Sequence, residues 1–197
     1  MSETTSTPGP AGTRSQRARA QALNVASALF YNKGVRAVGM EEIVETSGIA
    51  KTTIYRHFPT KDALIEAFLE KEDSAFWQQW DLAVAAAKTP GAKLDALSIW
   101  IGDRVQRDGY RGCPQLNVAA EFADPSHPAR TIARRHKDEM VRRLEEICRE
   151  AGADHADRTA MQVALLLDGA FTSDGRLNGL DAPDLLRTAI RRLMAIS

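Results

Sequence analysis

Apolar residues recur at helical spacing along almost the whole chain after residue 14. In residues 14–33 they repeat every three or four positions and would share one face: Ala18, Ala22, Val25, Ala26, Leu29 and Phe30. No segment alternates as a strand does. The pattern predicts an all-α fold of about nine helices, over approximately 14–33, 40–46, 50–57, 61–86, 90–107, 114–123, 129–151, 155–178 and 183–196.

Glycine and proline mark the ends of the early helices. Gly48 separates the short helix over 40–46 from the one over about 50–57, which Pro59 ends by pushing Phe58 out of helical geometry. Thr60 then caps the helix that starts at Lys61. Two short helices around a glycine-containing turn are typical of a helix-turn-helix.

The charges are distributed unevenly along the chain. The formal net charge is zero, which taken alone argues against a nucleic-acid partner. Residues 14–61, however, hold eight Lys and Arg against three Glu, a balance of +5, so the remainder must sum to −5. A basic first quarter joined to an acidic remainder indicates a DNA-facing domain attached to something else. We therefore predict a disordered tail over 1–13, a DNA-binding domain over 14–60 and a helical domain over 61–197.

The polar side chains of the second short helix have a use in a major groove. Threonine and tyrosine hydroxyls can bond phosphates or base edges, and a lysine at the helix start can reach bases. Lys61, at the start of the next helix, can hold a phosphate together with the helix N-terminal amides. The alternative is a solvent-exposed helical corner that carries polar residues without a partner.

Residues 43–68, "IVETSGIAKTTIYRHFPTKDALIEAF", resemble the DNA-binding signature of the tetracycline-repressor (TetR) family of bacterial transcription regulators. The resemblance implies an all-α homodimer with an N-terminal three-helix DNA-binding domain and a C-terminal domain for ligand binding and dimerisation. It implies base or phosphate contacts for Lys51, Thr52, Thr53 and Tyr55, and phosphate contacts for His57 and Lys61. Two positions depart from the family pattern: Gly39 stands where a capping threonine is common, and Ala50 where serine is common.

A small-molecule pocket is predicted in the C-terminal domain. Cys113, Asn117 and Glu121 are four residues apart and would share a helix face, and His136 lies on an apolar stripe that includes Met140. Trp77, Trp100 and Tyr110 could supply apolar walls. In the alternative interpretation the aromatic residues and His136 belong to an ordinary core, and Asn117 and Glu121 face water.

Segments 161–171 and 185–196 are more apolar than surface helices of a monomer should be. Two such helices from each of two subunits would form a four-helix interface. The residues predicted there are Leu166, Gly169, Ala170, Leu186, Ile190 and Leu193. The alternative is burial inside one subunit.

The sequence lacks the signatures of membrane proteins, secreted proteins and enzymes. No run of about 18 apolar residues could span a membrane, and the polar N-terminus does not resemble a secretion signal. No catalytic or metal-binding motif is recognisable, so neither an enzyme nor a cofactor nor a metal is expected. Cys113 and Cys148 suit a reducing bacterial cytoplasm, with the protein on the nucleoid when it binds DNA.

The sequence thus predicts a homodimeric regulator, a repressor released from a palindromic double-stranded operator by an unknown small-molecule effector. The alternative is a DNA-binding regulator without such an effector, controlled by a protein or by cysteine oxidation.

Overall fold

The computed structural model describes residues 11–173 and 175–195. Within these ranges the chain forms nine α-helices and no strand, which confirms the predicted all-α class. The helices are α1 (Ala11–Lys33), α2 (Met40–Ser47), α3 (Lys51–His57), α4 (Lys61–Val84), α5 (Pro90–Val105), α6 (Pro114–Glu121), α7 (Pro128–Glu150), α8 (Ala156–Phe171) and α9 (Ala182–Ala195).

The chain divides into two compact units, Met1–Phe68 and Leu69–Ser197, so the division falls within α4. The domain boundary predicted from the sequence, between 60 and 61, is at the start of the same helix. Helix α1 begins at Ala11, three positions before its predicted start. Residues 1–10, most of the predicted tail, lie outside the described residues.

The first unit packs around apolar side chains from all of its helices. Phe30 of α1, Ile43 of α2 and Ile54 of α3 are buried, and the rings of Phe30 and Phe68 lie 5.8 Å apart. Gly48 adopts a left-handed conformation with φ of 66°, and its N–H bonds the Val44 carbonyl at 3.0 Å. A glycine is favoured here because side chains strain this conformation. The turn therefore sets the direction in which α3 leaves α2.

The second unit packs α5 to α9 and the C-terminal part of α4 around one apolar core. Helices α5 and α9 approach closely at Gly102. A Cβ atom added there would lie 2.4 Å from the backbone nitrogen of Pro183. This contact leaves no room for a larger residue near the C-terminal end of α5.

One helix prediction is wrong at its end. The segment predicted as helical over 155–178 stops being helical after Phe171. Gly175, inside the predicted segment, has φ of 77°, which a right-handed helix cannot contain. The Thr172 hydroxyl donates to the Asp168 carbonyl at 2.8 Å at this terminus. Across the described ranges no helix is long and apolar enough to cross a lipid bilayer.

Candidate DNA interface and effector site

Helix α3 presents a polar face opposite one buried anchor. Ile54 is fully buried, and Phe58, which follows the helix, is 2% exposed. The predicted DNA-contacting residues of α3 are all at least partly exposed: Lys51, Thr52, Thr53, Tyr55 and His57. The helix is thus held on one side and leaves its polar side accessible.

Lys51 is already oriented by a neighbouring helix. Its ammonium lies 2.7 Å from Glu41 Oε1 on α2 and 5.9 Å from the centre of the Tyr55 ring. The hydrogen bond between Lys51 and Glu41 lowers the pKa of Glu41 and raises the pKa of Lys51. Both side chains remain exposed, so the pair is screened by solvent and holds Lys51 only weakly. A DNA phosphate would compete with Glu41 for this lysine.

His57 is connected to α1. Its Nε2 lies 3.2 Å from the Ser15 hydroxyl, and its ring is partly buried. This contact fixes where the ring sits within the first unit. The phosphate contact that the resemblance implies for His57 stays a prediction.

The N-caps of α2, α3 and α4 are those expected from the residue types at these positions. Neither Gly39 before α2 nor Ala50 before α3 makes a side-chain cap bond. Thr60 accepts a hydrogen bond from the Ala63 N–H at 3.0 Å and so caps α4 as predicted. Lys61 is the first residue of α4, next to backbone N–H groups that no helical carbonyl satisfies. That arrangement is suited to a phosphate.

The second unit contains a small cavity of about 10 Å³, enough for about one water molecule. Its walls come from α4, α5, α6, α7, α8 and the segment between α5 and α6: Glu72, Phe76, Arg104, Tyr110, Cys113, Pro114, Gln115, His136 and Phe171. Three of the eight residues predicted for the effector pocket are among them: Tyr110, Cys113 and His136.

The other five predicted pocket residues do not line this cavity. Trp77 donates its indole N–H to Asp73 at 2.8 Å, and Trp100 packs against the core. Met140 is fully buried in the core. Asn117 donates to the Arg111 carbonyl at 2.6 Å, and Glu121 ends α6.

His136 is held by Asp73. Its Nδ1 lies 2.6 Å from Asp73 Oδ1, the same oxygen that accepts from Trp77. Burial lowers the pKa of His136, and Lys137 nearby acts in the same direction, whereas Asp73 opposes the shift. The ring is therefore neutral at pH 7, with its proton on Nδ1 because the carboxylate can only accept. Its buried Nε2 has no hydrogen-bond partner among the described residues.

Several cavity residues escaped sequence reasoning, most importantly Phe76 and Gln115. Phe76 is one residue from Trp77 on α4, and only the packing of the helix decides which of the two rings faces inward. Gln115 follows Pro114 at the start of α6 and carries no motif. The local signal at this position is a polar glutamine between the apolar residues Pro114 and Leu116.

Helices α8 and α9 share an exposed apolar face. Leu165 is 64% exposed and Leu185 is 48% exposed, and they border an open groove of about 450 Å³. Gly169 is exposed in this groove, and a Cβ added to it would meet no atom within 4 Å.

The structure distributes the predicted interface residues over three environments. Ala170, Leu186 and Ile190 are buried within the core of the second unit. Leu166 and Leu193 are half-buried against that core, and Gly169 is exposed. The outward-facing leucines are therefore different from those chosen on apolar pattern alone.

Comparison with known proteins agrees with these features. Residues 22–68 match the family described as bacterial regulatory proteins, tetR family. An uncharacterised HTH-type transcriptional regulator of Mycobacterium tuberculosis is 25% identical over 169 residues, covering 75% of this chain and 83% of that protein. The HTH-type transcriptional repressor KstR2 of Rhodococcus jostii is 29% identical over 93 residues, 46% of each chain.

The fold is similar over nearly the whole chain to a solved structure. The crystal structure of SCO4454, a TetR-family transcriptional regulator from Streptomyces coelicolor, superposes with a TM-score of 0.86 at 26% identity, covering 92% of this chain and 96% of that one. The combination of a helix-turn-helix unit and a helical second unit defines a DNA-binding transcriptional regulator. Residues 22–68 carry the TetR-family DNA-binding domain, and the chain as a whole shares the fold of a TetR-family transcriptional regulator.

The relatives are regulators, which places the chain outside the enzymes. Over the described residues, no group of three or more His, Cys, Asp or Glu side chains could hold a metal ion.

Proposed function

We propose that the protein is a homodimeric repressor that leaves a palindromic operator when a small molecule binds in its second unit. The observation that carries the effector part is the aromatic-walled cavity beside His136, whose buried Nε2 has no hydrogen-bond partner among the described residues. A buried polar atom without a partner costs about 1–3 kcal/mol, and a ligand that satisfies it recovers that energy.

The DNA contacts are assigned to the exposed polar face of α3 and to the start of α4. Lys51, Thr52, Thr53 and Tyr55 contact bases or phosphates, and His57 and Lys61 contact phosphates. In a dimer, two copies of α3 enter successive major grooves about 34–36 Å apart. This spacing explains why a palindromic operator is expected.

The homodimer is assigned to the exposed face of α8 and α9. Leu165 and Leu185 offer apolar surface that water would otherwise cover, and Gly169 leaves space for a close approach between helices. A two-fold interface buries the same face of both subunits, so each exposed leucine contributes twice to the free energy of dimerisation.

Helix α4 provides the physical connection between effector and DNA. It runs without a break from Lys61 to Val84 and contributes Glu72 and Phe76 to the cavity wall. A ligand larger than the cavity must displace these walls, and it then favours the conformer in which α4 and α3 no longer fit the operator. Such coupling is typically about 1–3 kcal/mol.

The alternative is a regulator that responds to no small molecule. The cavity volume of about 10 Å³ favours it, because one water molecule would satisfy a site of that size.

The test is to retain genomic DNA fragments on the purified protein, sequence them, and transcribe a retained promoter in vitro with and without protein. A recurrent palindrome and reduced transcript support the proposal. Lys51→Ala should abolish selective retention, and Lys33→Ala serves as the control for simple loss of charge in the first unit, since Lys33 pairs with Glu42 outside α3. Increased transcript would make the protein an activator.

A further inference from the structure

We infer that the effector carries a compact hydrogen-bond-donor head on an aromatic or apolar body, an amine that donates to both His136 and Gln115 or a hydroxyl that donates to one of them. The inference rests on the proposed effector-responsive function. It is carried by two buried acceptor atoms at one aromatic cavity, neither of which has a hydrogen-bond partner among the described residues.

The first acceptor is Nε2 of His136. The Asp73 carboxylate already accepts from the Trp77 indole and lies 2.6 Å from Nδ1, so Nδ1 carries the imidazole proton. Nε2 then presents a lone pair. The residue is 2% exposed, so bulk water does not solvate this atom.

The second acceptor is Oε1 of Gln115, a residue that is 1% exposed. The amide cannot flip, because its Nε2 donates to the Leu69 carbonyl at 3.0 Å and a carbonyl requires a donor. Oε1 is therefore left as an acceptor beside the cavity. His136 and Gln115 thus make the same chemical demand on a ligand.

The remaining walls select the body of the ligand. Phe76, Tyr110 and Phe171 line the cavity, and the Phe76 ring is 4.8 Å from the His136 ring and 6.1 Å from that of Phe171. An aromatic ligand can stack or pack edge-on against such rings. A carboxylate head placed between the two acceptors would set its lone pairs against theirs, which is unfavourable in a buried site. Arg104, which also lines the cavity, would act in the opposite direction, and a benzoate probe measures which of the two effects prevails.

The test uses the full chain and four small probes: phenol, aniline, toluene and benzoate. Toluene has the shape of phenol but no donor, and benzoate is an anion of similar size. Binding is measured by calorimetry and by the shift in thermal unfolding. We expect aniline, which can donate to both acceptors, and phenol, which can donate to one, to bind about ten-fold or more tightly than toluene, and benzoate to bind weakest.

Two variants assign the effect to the named atoms. In His136→Asn the amide can still donate to Asp73, but the Nε2 acceptor is lost; Gln115→Met removes the second acceptor at similar size. Each should reduce the preference for aniline over toluene, and the two changes together should reduce it to about one. The control is Ser98→Ala, because Ser98 is buried in the same unit but bonds the Leu94 carbonyl at 2.8 Å away from the cavity. It should leave the preference unchanged. If His136→Asn does not fold, Gln115→Met carries the test.

Toluene binding as tightly as phenol, benzoate binding tightest, or no probe binding at millimolar concentration would each overturn the inference. Operator DNA is included in parallel to separate the two proposals. If probes release the operator whether or not they carry a hydrogen-bond donor, the effector-responsive function stands and the inference about the donor head is refuted. Selective phenol binding without any release would support the donor site and refute the effector-responsive function.

Discussion

Replacing Leu165 by alanine tests the assigned dimer face quantitatively. The change removes about three carbon groups, worth about 0.8 kcal/mol each when buried. The residue is 64% exposed in the subunit, so about two-thirds of that energy, roughly 1.5 kcal/mol, remains to be gained at an interface. A two-fold interface contains the residue twice, which gives about 3 kcal/mol. The dimer dissociation constant should therefore rise about a hundred-fold.

Sedimentation equilibrium over a range of protein concentrations measures this constant directly. Leu82→Ala is the matched control, because Leu82 is 69% exposed but lies near the end of α4 and does not border the groove. The subunit itself should keep its stability to within about 0.5 kcal/mol, since an exposed side chain contributes little to folding. An unchanged dissociation constant for Leu165→Ala, or equal weakening by both variants, would refute the assignment of the dimer to this face.

Four further changes test other parts of the account. Tyr55→Phe should weaken operator binding by roughly 1–3 kcal/mol in fluorescence anisotropy while the dimer persists, and unchanged affinity would remove its hydroxyl from the interface. Lys61→Ala should weaken binding to all DNA sequences alike and reduce the salt slope by about one; a loss confined to one sequence would contradict a phosphate contact. Gly102→Ala should destabilise the fold by about 1–3 kcal/mol in urea unfolding because its Cβ would overlap the α9 backbone, whereas Gly91→Ala, with open space around it, should not. Finally, burial lowers the pKa of His136 in the folded protein, so His136 takes up a proton on unfolding when the pH is below its ordinary pKa of 6.5. Stability should therefore be full above that pH and fall as the pH drops below it, and His136→Asn should flatten this slope.

The DNA-binding unit was predictable because its signals are local. Gly48 marks the left-handed turn, Pro59 marks the end of α3, and Thr60 marks the cap of α4; all three lie within a few residues of the feature that they determine. Even the missing side-chain caps at Gly39 and Ala50 follow directly from residue type.

The cavity was only partly predictable because it depends on how distant helices pack. Tyr110, Cys113 and His136 were identified, but Phe76 and Gln115 come from different helices and meet only in the folded unit. An apolar pattern on α4 indicates that rings lie inside without telling which ring reaches a cavity.

The α8 and α9 face shows a different limit. Apolar residues cover much of α8, so periodicity cannot distinguish a leucine that fills its own core from one that faces outward. Ile190 was selected and is 1% exposed, whereas Leu165 was overlooked and is 64% exposed. The overextended α8 prediction has a local cause instead, because Gly175 and Gly179 already indicated a turn.

Operator recognition by two α3 helices is tested most directly by a hydroxyl-radical footprint on a palindromic fragment retained by the protein, compared between the native chain and Lys51→Ala. We expect two protected patches on one face of the duplex, about 34–36 Å apart, both weakened together in the variant. A single patch, or protection that Lys51→Ala leaves unchanged, would contradict recognition by paired α3 helices.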